Sequence, residues 1–229
     1  MLGSRMLAWP IDRTRQLVFG LGQYGLLLGP VRRALVEPAA GRRDDLLQLL
    51  LCFYGKRLWQ AGLVAGKCGN LSARSHDPTV IYVTPRAQNK SRLGMLDIRR
   101  VELGVDDRDR SDVSVELPMH VACYRARAAV GAVIHTHAPA LTALGIRGLS
   151  LDTCLPEAAE ALGGVTVLPY LPSGSDELGD AVGDAVARGV QLVVLERHGV
   201  VSVGARLSDA YDRMEFGELS AKTALLAAS

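Results

Sequence analysis

Two short apolar runs decide most of what this chain can become. The first is Ala129–His137, AVGAVIHTH, and the second is Leu192–Gly199, LVVLERHG. Both are rich in β-branched residues, which favour the extended backbone, and both are too short for a buried helix. They are nearly continuous rather than alternating, so each predicts a strand covered on both faces. Segments with helical spacing separate them from further runs of the same kind. A chain that alternates in this way builds a central sheet between helical layers, an α/β architecture.

Both runs end in histidine. Side chains alternate along a strand, so His135 and His137 point to the same side. His198 follows the second run. The chain has 5 histidines, and three of them stand in these two places. Three imidazoles are the protein ligands of one type of catalytic zinc site, whose fourth position stays open for water or substrate. A lone histidine at a strand end reads more simply as a hydrogen-bonded core or surface residue. The paired spacing and the third histidine favour a metal. Glu116, at the start of a predicted helix just before the first run, is the acid/base candidate. Its simpler reading is a first-turn acid favoured by the helix dipole.

Composition narrows the choice. With 229 residues, 48% hydrophobic and 22% charged, the chain is long enough for one sizeable soluble domain. A formal net charge of +2, with no basic cluster interleaved with aromatics, argues against nucleic acid. Cys52, Cys68, Cys123 and Cys154 are dispersed, which suits reduced thiols and a cytoplasmic protein. No apolar run has the length of a membrane span. Residues 1–40 differ from the rest. Leu17–Val31 is apolar but glycine-rich and flanked by Arg13, Arg15, Arg32 and Arg33, a poor fit to a signal peptide. The expectation is an N-terminal arm over 1–40, or a start assigned too early, followed by a catalytic domain over 41–229.

The spacing predicts helices over Asp44–Ala61 (with Gly62 as its cap), Val115–Arg127, Pro156–Leu162, Asp176–Ala187 and from Ser208 to Ala227. Strands are expected over Thr79–Val83, Ala129–Thr136, Val165–Leu168 and Gln191–Glu196. Gly66–Ser72 reads as a loop and Thr84–Asn89 as a turn. Ser114 reads as an N-cap, with Pro118 tolerated in the first turn.

The chain resembles the class II aldolase/adducin family, the group of L-fuculose-1-phosphate aldolase and L-ribulose-5-phosphate 4-epimerase. The matching pieces are Gly69–Ser72 (GNLS), Thr84–Pro85, Ser114-Val-Glu116 followed by Pro-Met-His120, His135-Thr-His137, Pro156–Glu160, Leu168-Pro-Tyr170, and His198-Gly199 with Gly204. The resemblance covers about Arg42–Leu226 and lies in their shared order and spacing. It implies a single three-layer α/β/α domain with a mostly antiparallel or mixed sheet. It also implies a divalent cation on His135, His137 and His198, usually Zn2+ with Mn2+, Fe2+ or Co2+ as alternatives, and Glu116 as acid/base. A homotetramer with active sites between subunits is implied as well. Asn70, Ser72, Thr84 and Ser114 fall in segments that cradle a substrate phosphate in the family.

The chain departs from the family's pattern at the anion loop. Lys67 replaces a small hydroxylic residue, Arg86-Ala87 replaces Ser/Thr-Gly, and Val115 replaces a serine. Either Lys67 and Arg86 hold the anion instead, or both are solvated and phosphate recognition is lost. Lys90 matches a lysine often found after this turn, with no assigned role. His120, at i+4 from Glu116, reads as a packing or supporting residue. The tyrosines that move protons in fuculose phosphate aldolase have no match over 149–161. Glu157 and Glu160 occupy that neighbourhood, either as proton donors or as exposed helix carboxylates.

These readings converge on a metal-dependent lyase. The expected reaction is retro-aldol cleavage of a small sugar phosphate or polyhydroxy-carbonyl compound, the metal stabilising an enediolate as the bond breaks. A decarboxylase, epimerase or dehydratase on the same scaffold stays open. So do an adducin-like interaction module and an oxygen-using iron enzyme.

Overall fold

In a computed structural model of the chain, residues 40–105, 110–147 and 162–227 are described. Residues 1–39, which make up nearly all of the expected N-terminal arm, lie outside that set. So do the predicted helix over 156–161 and with it Glu157 and Glu160.

Seven strands form one mixed sheet. They are β1 (Asn70–Arg74), β2 (Val80–Val83), β3 (Arg99–Glu102), β4 (Ala132–Thr136), β5 (Val165–Leu168), β6 (Leu192–Leu195) and β7 (Gly199–Gly204). Their order across the sheet is β3-β2-β1-β4-β7-β6-β5. Every pairing is antiparallel except β5 with β6.

Five helices are described: α1 (Ala40–Gln60), α2 (Leu117–Ala126), α3 (Pro139–Ile146), α4 (Asp176–Ala187) and α5 (Leu207–Ala227). Strand alternation sorts the core into two halves. Leu71, Ala73, Ile134, Val194 and Val200 pack with Leu51 and Leu58 of α1, Leu141 of α3 and Met214 of α5. Val133, Val193 and Val201 pack on the other side with Met119 and Cys123 of α2 and Val182 and Val186 of α4. The expected three-layer α/β/α domain is what this arrangement gives. Strands β4 and β6 are buried along their whole length, because both faces are covered.

Local chemistry explains the helix ends. Past α1, Gly62 takes φ +71 while Leu63 N–H reaches Leu58 O at 3.0 Å and Gly62 N–H reaches Trp59 O at 3.1 Å, a Schellman ending. Ser175 caps α4 by accepting from Leu178 N–H at 3.1 Å. The first turn of α3 is capped from a distance. The buried carboxylate of Glu218, on α5, accepts the N–H groups of Ala140 at 3.0 Å and Leu141 at 3.1 Å.

Several expected elements shift. Asn70–Ser72 is strand, not loop, because its N–H and C=O groups pair with both β2 and β4. Helix α2 begins at Leu117, and Ser114 forms a tight turn ahead of it, its hydroxyl accepting from Glu116 N–H at 3.3 Å. Ser208 lies inside α5, where Asp209 accepts the Arg206 N–H at 3.1 Å and takes over the capping. Strands β3 and β7 and helix α3 were not anticipated.

Candidate active site

The site forms where β4 leaves the sheet. His135 is the fourth residue of β4 and His137 lies one residue past its end, both on the α2 side. Thr136 faces the opposite layer, with its hydroxyl 3.2 Å from Met214 Sδ. His198 arrives on the turn between β6 and β7, next to β4 through the β4–β7 pairing. That turn carries Arg197 at φ +55. Gly199 follows for want of room. A Cβ there would stand 2.4 Å from Thr136 O and 3.0 Å from both the His135 and His137 rings.

One nitrogen from each of His135, His137 and His198 lies within 4.8 Å of the others. The ring centroids are 4.9–5.5 Å apart. His135 is fully buried, and its Nδ1 lies 3.0 Å from Val200 O. A carbonyl can only accept, so Nδ1 carries the hydrogen and Nε2 presents a lone pair. That Nε2 has no hydrogen-bond partner, and neither does the buried Nδ1 of His198. Burial holds His135 down at about 3, helped by repulsion from His198 and His137 and opposed by Glu116. The ring is therefore neutral at physiological pH. Three ring nitrogens converging from two β segments, one of them buried without a partner, fit a divalent cation of the zinc type.

Glu116 closes the cluster. Its Oε2 is 3.2 Å from His135 Nε2, and its Oε1 is 2.7 Å from His198 Nε2. Ser173, just after β5, donates to Oε1 at 2.9 Å. Asn70 Nδ2 donates to Oε2 at 2.8 Å and to Ser114 Oγ at 3.1 Å. Burial in a closed site would by itself raise such a carboxyl toward neutrality. The structure points the other way. Burial does push Glu116 up, but the hydrogen bonds from His198 and Asn70 and the histidine rings set against both of its oxygens outweigh it and hold it below the usual carboxylate range.

Behind Asn70 runs a buried polar chain with a fixed direction. Since Nδ2 is committed to Glu116 and Ser114, the Asn70 oxygen is left to accept from His120 Nε2–H. His120 Nδ1 then accepts from Ser72 Oγ at 2.7 Å, and Ser72 Oγ lies 2.8 Å from the Tyr124 hydroxyl. His120 is fully buried, and burial lowers it to about 4, so it too is neutral.

Among the described residues, a cavity of about 200 Å³ opens over this cluster. Glu116, His137, His198, Asn70, Ser114 and the two expected cations Lys67 and Arg86 line it. Ser72 and Thr84 do not, contrary to expectation. Both are 0% exposed. Ser72 lies one pleat deeper on β1 than Asn70, and Thr84 accepts the Leu71 N–H at 3.1 Å. Ser173, unforeseen, joins the lining, and so does Lys90. A larger cleft of about 810 Å³ between α2 and α4 contains no histidine and none of these residues.

This architecture and site define an enzyme of the class II aldolase type. The chain belongs to that family: the family model described as Class II Aldolase and Adducin N-terminal domain matches residues 50–225. An L-fuculose phosphate aldolase of Methanococcus vannielii is 31% identical over 165 residues, 72% of this chain and 88% of the relative. A 3-oxo-tetronate 4-phosphate decarboxylase of Haemophilus influenzae is 31% identical over 189 residues, 78% of this chain and 87% of the relative. The crystal structure of L-fuculose-1-phosphate aldolase from Thermus thermophilus superposes with a TM-score of 0.73 at 28% identity, covering 79% of this chain and 93% of that one.

Proposed function

We propose that the domain over 41–229 is a metal-dependent lyase that breaks a carbon–carbon bond beside a carbonyl in a small phosphorylated or carboxylated polyhydroxy compound. The observation that carries this reading is the cluster itself. Three histidine nitrogens lie within 4.8 Å of one another, and the Glu116 carboxylate stands against two of those rings.

His135, His137 and His198 would hold the cation, which supplies Lewis-acid polarisation of the substrate carbonyl when bound, with zinc first and manganese, iron or cobalt as alternatives. Glu116 is the proton carrier. When the bond breaks, its electron pair passes to the carbonyl side, and Glu116, ionised at rest, takes up the proton released by the hydroxyl that becomes the aldehyde (or one from water where carbon dioxide leaves) and delivers it to that carbon. In the reverse direction Glu116 removes it. Ser173 and Asn70 each occupy one oxygen of Glu116, so the carboxylate keeps a single orientation throughout. Ser114 Oγ already accepts from Asn70 and from Glu116 N–H, which leaves its own O–H for an anionic substrate. Arg86 and Lys67 are exposed along the cavity and add positive charge for the same anion.

Decarboxylation is the second reading, supported by the relative of that name. We read the exposed apolar Val115, which lines the cavity and is 50% exposed, as the place where a neighbouring subunit of a homotetramer would close the site. A cytoplasmic location is supported by the free Cys52, Cys68 and Cys123. No helix among the described residues is long and apolar enough to cross a membrane.

The test is a screen of phosphorylated and free ketoses and keto-acids with zinc, manganese or iron, reading aldehyde and carbon dioxide separately. Aldehyde release supports cleavage of the aldol type, and carbon dioxide release supports the decarboxylase. Neither product with any metal rejects the lyase reading.

A further inference from the structure

Strand β1 and helix α2 are joined by a row of polar side chains that keeps step over three residues of each. Asn70, Ser72 and Arg74 share one face of β1, and Glu116, His120 and Tyr124 recur at every fourth position from the N-cap of α2 onward. Two residues of strand advance about 6.6 Å and four residues of helix about 6 Å, so the two series stay in register. Asn70 bonds Glu116 and His120, and Ser72 bonds His120 and Tyr124. Arg74 ends the row. Its guanidinium donates to Tyr124 O at 2.9 Å and lies 4.9 Å over the Tyr124 ring. All but Arg74 are buried.

From Tyr124 to Glu116, each link donates toward the carboxylate. Asn70 Nδ2 is spent on Glu116 and Ser114, so the Asn70 oxygen accepts from His120 Nε2–H. His120 is neutral, with burial holding it at about 4, so its Nδ1 accepts the Ser72 hydrogen. Ser72 has no second hydrogen, and its oxygen accepts from the Tyr124 hydroxyl. Donors aligned in this way polarise one another, each strengthening the next. The Asn70 amide passes no proton between His120 and Glu116, so the row orients the carboxylate without charging or discharging it. Stability alone does not ask for such a row. Replacing a whole set of bonded polar groups by apolar ones of the same shape is nearly neutral, and Leu117, Met119 and Cys123 of the same helix are apolar.

We propose that His120, Ser72 and Tyr124 are positioning residues for Glu116: link by link they fix the Asn70 amide in the one orientation that offers an N–H to the carboxylate. The inference rests on Glu116 as the proton carrier of the proposed function. With the row broken, nothing holds the Asn70 oxygen in place. The amide is then free to turn, which sets an oxygen against Glu116 Oε2 and pushes the carboxylate out of line. The effect falls on proton transfer and spares binding, because none of the three side chains lines the cavity or belongs to the histidine cluster.

The test pairs steady-state kinetics and metal analysis of the metal-containing protein, on the substrate found by the screen, with histidine 15N NMR of the metal-free protein at neutral pH. His120→Leu should lower kcat about tenfold or more, with KM within about twofold and metal content unchanged. His120→Gln keeps an N–H for the Asn70 oxygen and should recover most of that loss. Tyr124→Phe and Ser72→Ala each remove one hydroxyl and should lower kcat about two- to fivefold, which keeps the proposal testable if the leucine variant fails to fold. In a Glu116→Gln background, His120→Leu should cost less than about twofold more, since its effect runs through that carboxylate. The NMR resonance that disappears in His120→Gln should report a hydrogen on Nε2 and none on Nδ1, and should move in Tyr124→Phe. A hydrogen on Nδ1, unchanged kcat in the leucine, phenylalanine and alanine variants, or losses that multiply with Glu116→Gln overturns the proposal. The expected spectra beside a barren screen keep the row as the orienting device of Glu116 and reject the lyase. Turnover with His120 in the other tautomer does the reverse.

Discussion

Asn70 and Glu116, 46 residues apart in the chain, are joined by a 2.8 Å hydrogen bond from the Asn70 amide to Glu116 Oε2. Register makes the contact possible, because Asn70 on β1 lies opposite His135 on β4. The amide cannot turn over, since His120 Nε2–H claims its oxygen. Asn70→Asp keeps the shape and sets a second negative charge beside Glu116. The carboxylates would repel, Glu116 would lose its alignment, and kcat should fall about tenfold or more with metal content unchanged. Steady-state kinetics beside metal analysis checks this.

Removing a ligand differs from removing the proton carrier. His135→Ala, His137→Ala or His198→Ala should abolish both bound metal and turnover. Glu116→Gln should retain the metal while turnover drops about 10²-fold or more. Full activity in any histidine variant contradicts the ligand assignment, and an unimpaired glutamine variant removes Glu116 from catalysis.

Gly199 is a packing requirement of the metal site. In Gly199→Ala the new methyl would meet Thr136 O at 2.4 Å, and a backbone oxygen held in the β4–β7 ladder has little room to move. The strands must part slightly and carry His135 and His137 with them. The expected cost is about 1–3 kcal/mol of stability and about 10–100-fold in metal affinity. Urea unfolding and a competitive chelator titration measure the two separately.

His120 predicts an acid limb in the stability profile. Its ordinary value of 6.5 falls to about 4 in the fold, chiefly through burial. The unfolded chain takes up the proton first, so this contribution is complete above pH 6.5 and is lost as pH falls toward 4. The full effect is about 3 kcal/mol. Denaturant melts of wild type and His120→Gln at pH 7 and pH 4.5 test it: the variant should lose less stability between the two. An equal loss means that His120 does not carry the acid limb.

The sequence was most readable where a local period implied a shared face. His135-Thr-His137 announces one side of a strand whatever surrounds it, and Glu116 with His120 announces one side of a helix. Legibility failed where depth decides. Asn70 and Ser72 share a face of β1, yet Asn70 meets the cavity while Ser72 is enclosed by His120 and Tyr124. It failed again where the partner is remote: α3 is capped by Glu218, 78 residues beyond Ala140. Strand β3, with the charged Arg99, Arg100 and Glu102 around Val101, pairs with one strand only and lacks an apolar signature. Ser173 gave no signal beyond its place in a Pro-Ser-Gly turn.

The β4–β7 ladder runs in register from Ala132 to Thr136, and the β6–β7 hairpin closes beside it. The imidazoles are therefore set in place by backbone pairing, independently of the ion they would grip. Loading such a protein asks little of the polypeptide, and the slow step falls to the incoming ion as it sheds its water. Stripped enzyme should thus recover quickly on re-addition of metal, and different divalent ions should exchange through the same rigid seat without refolding.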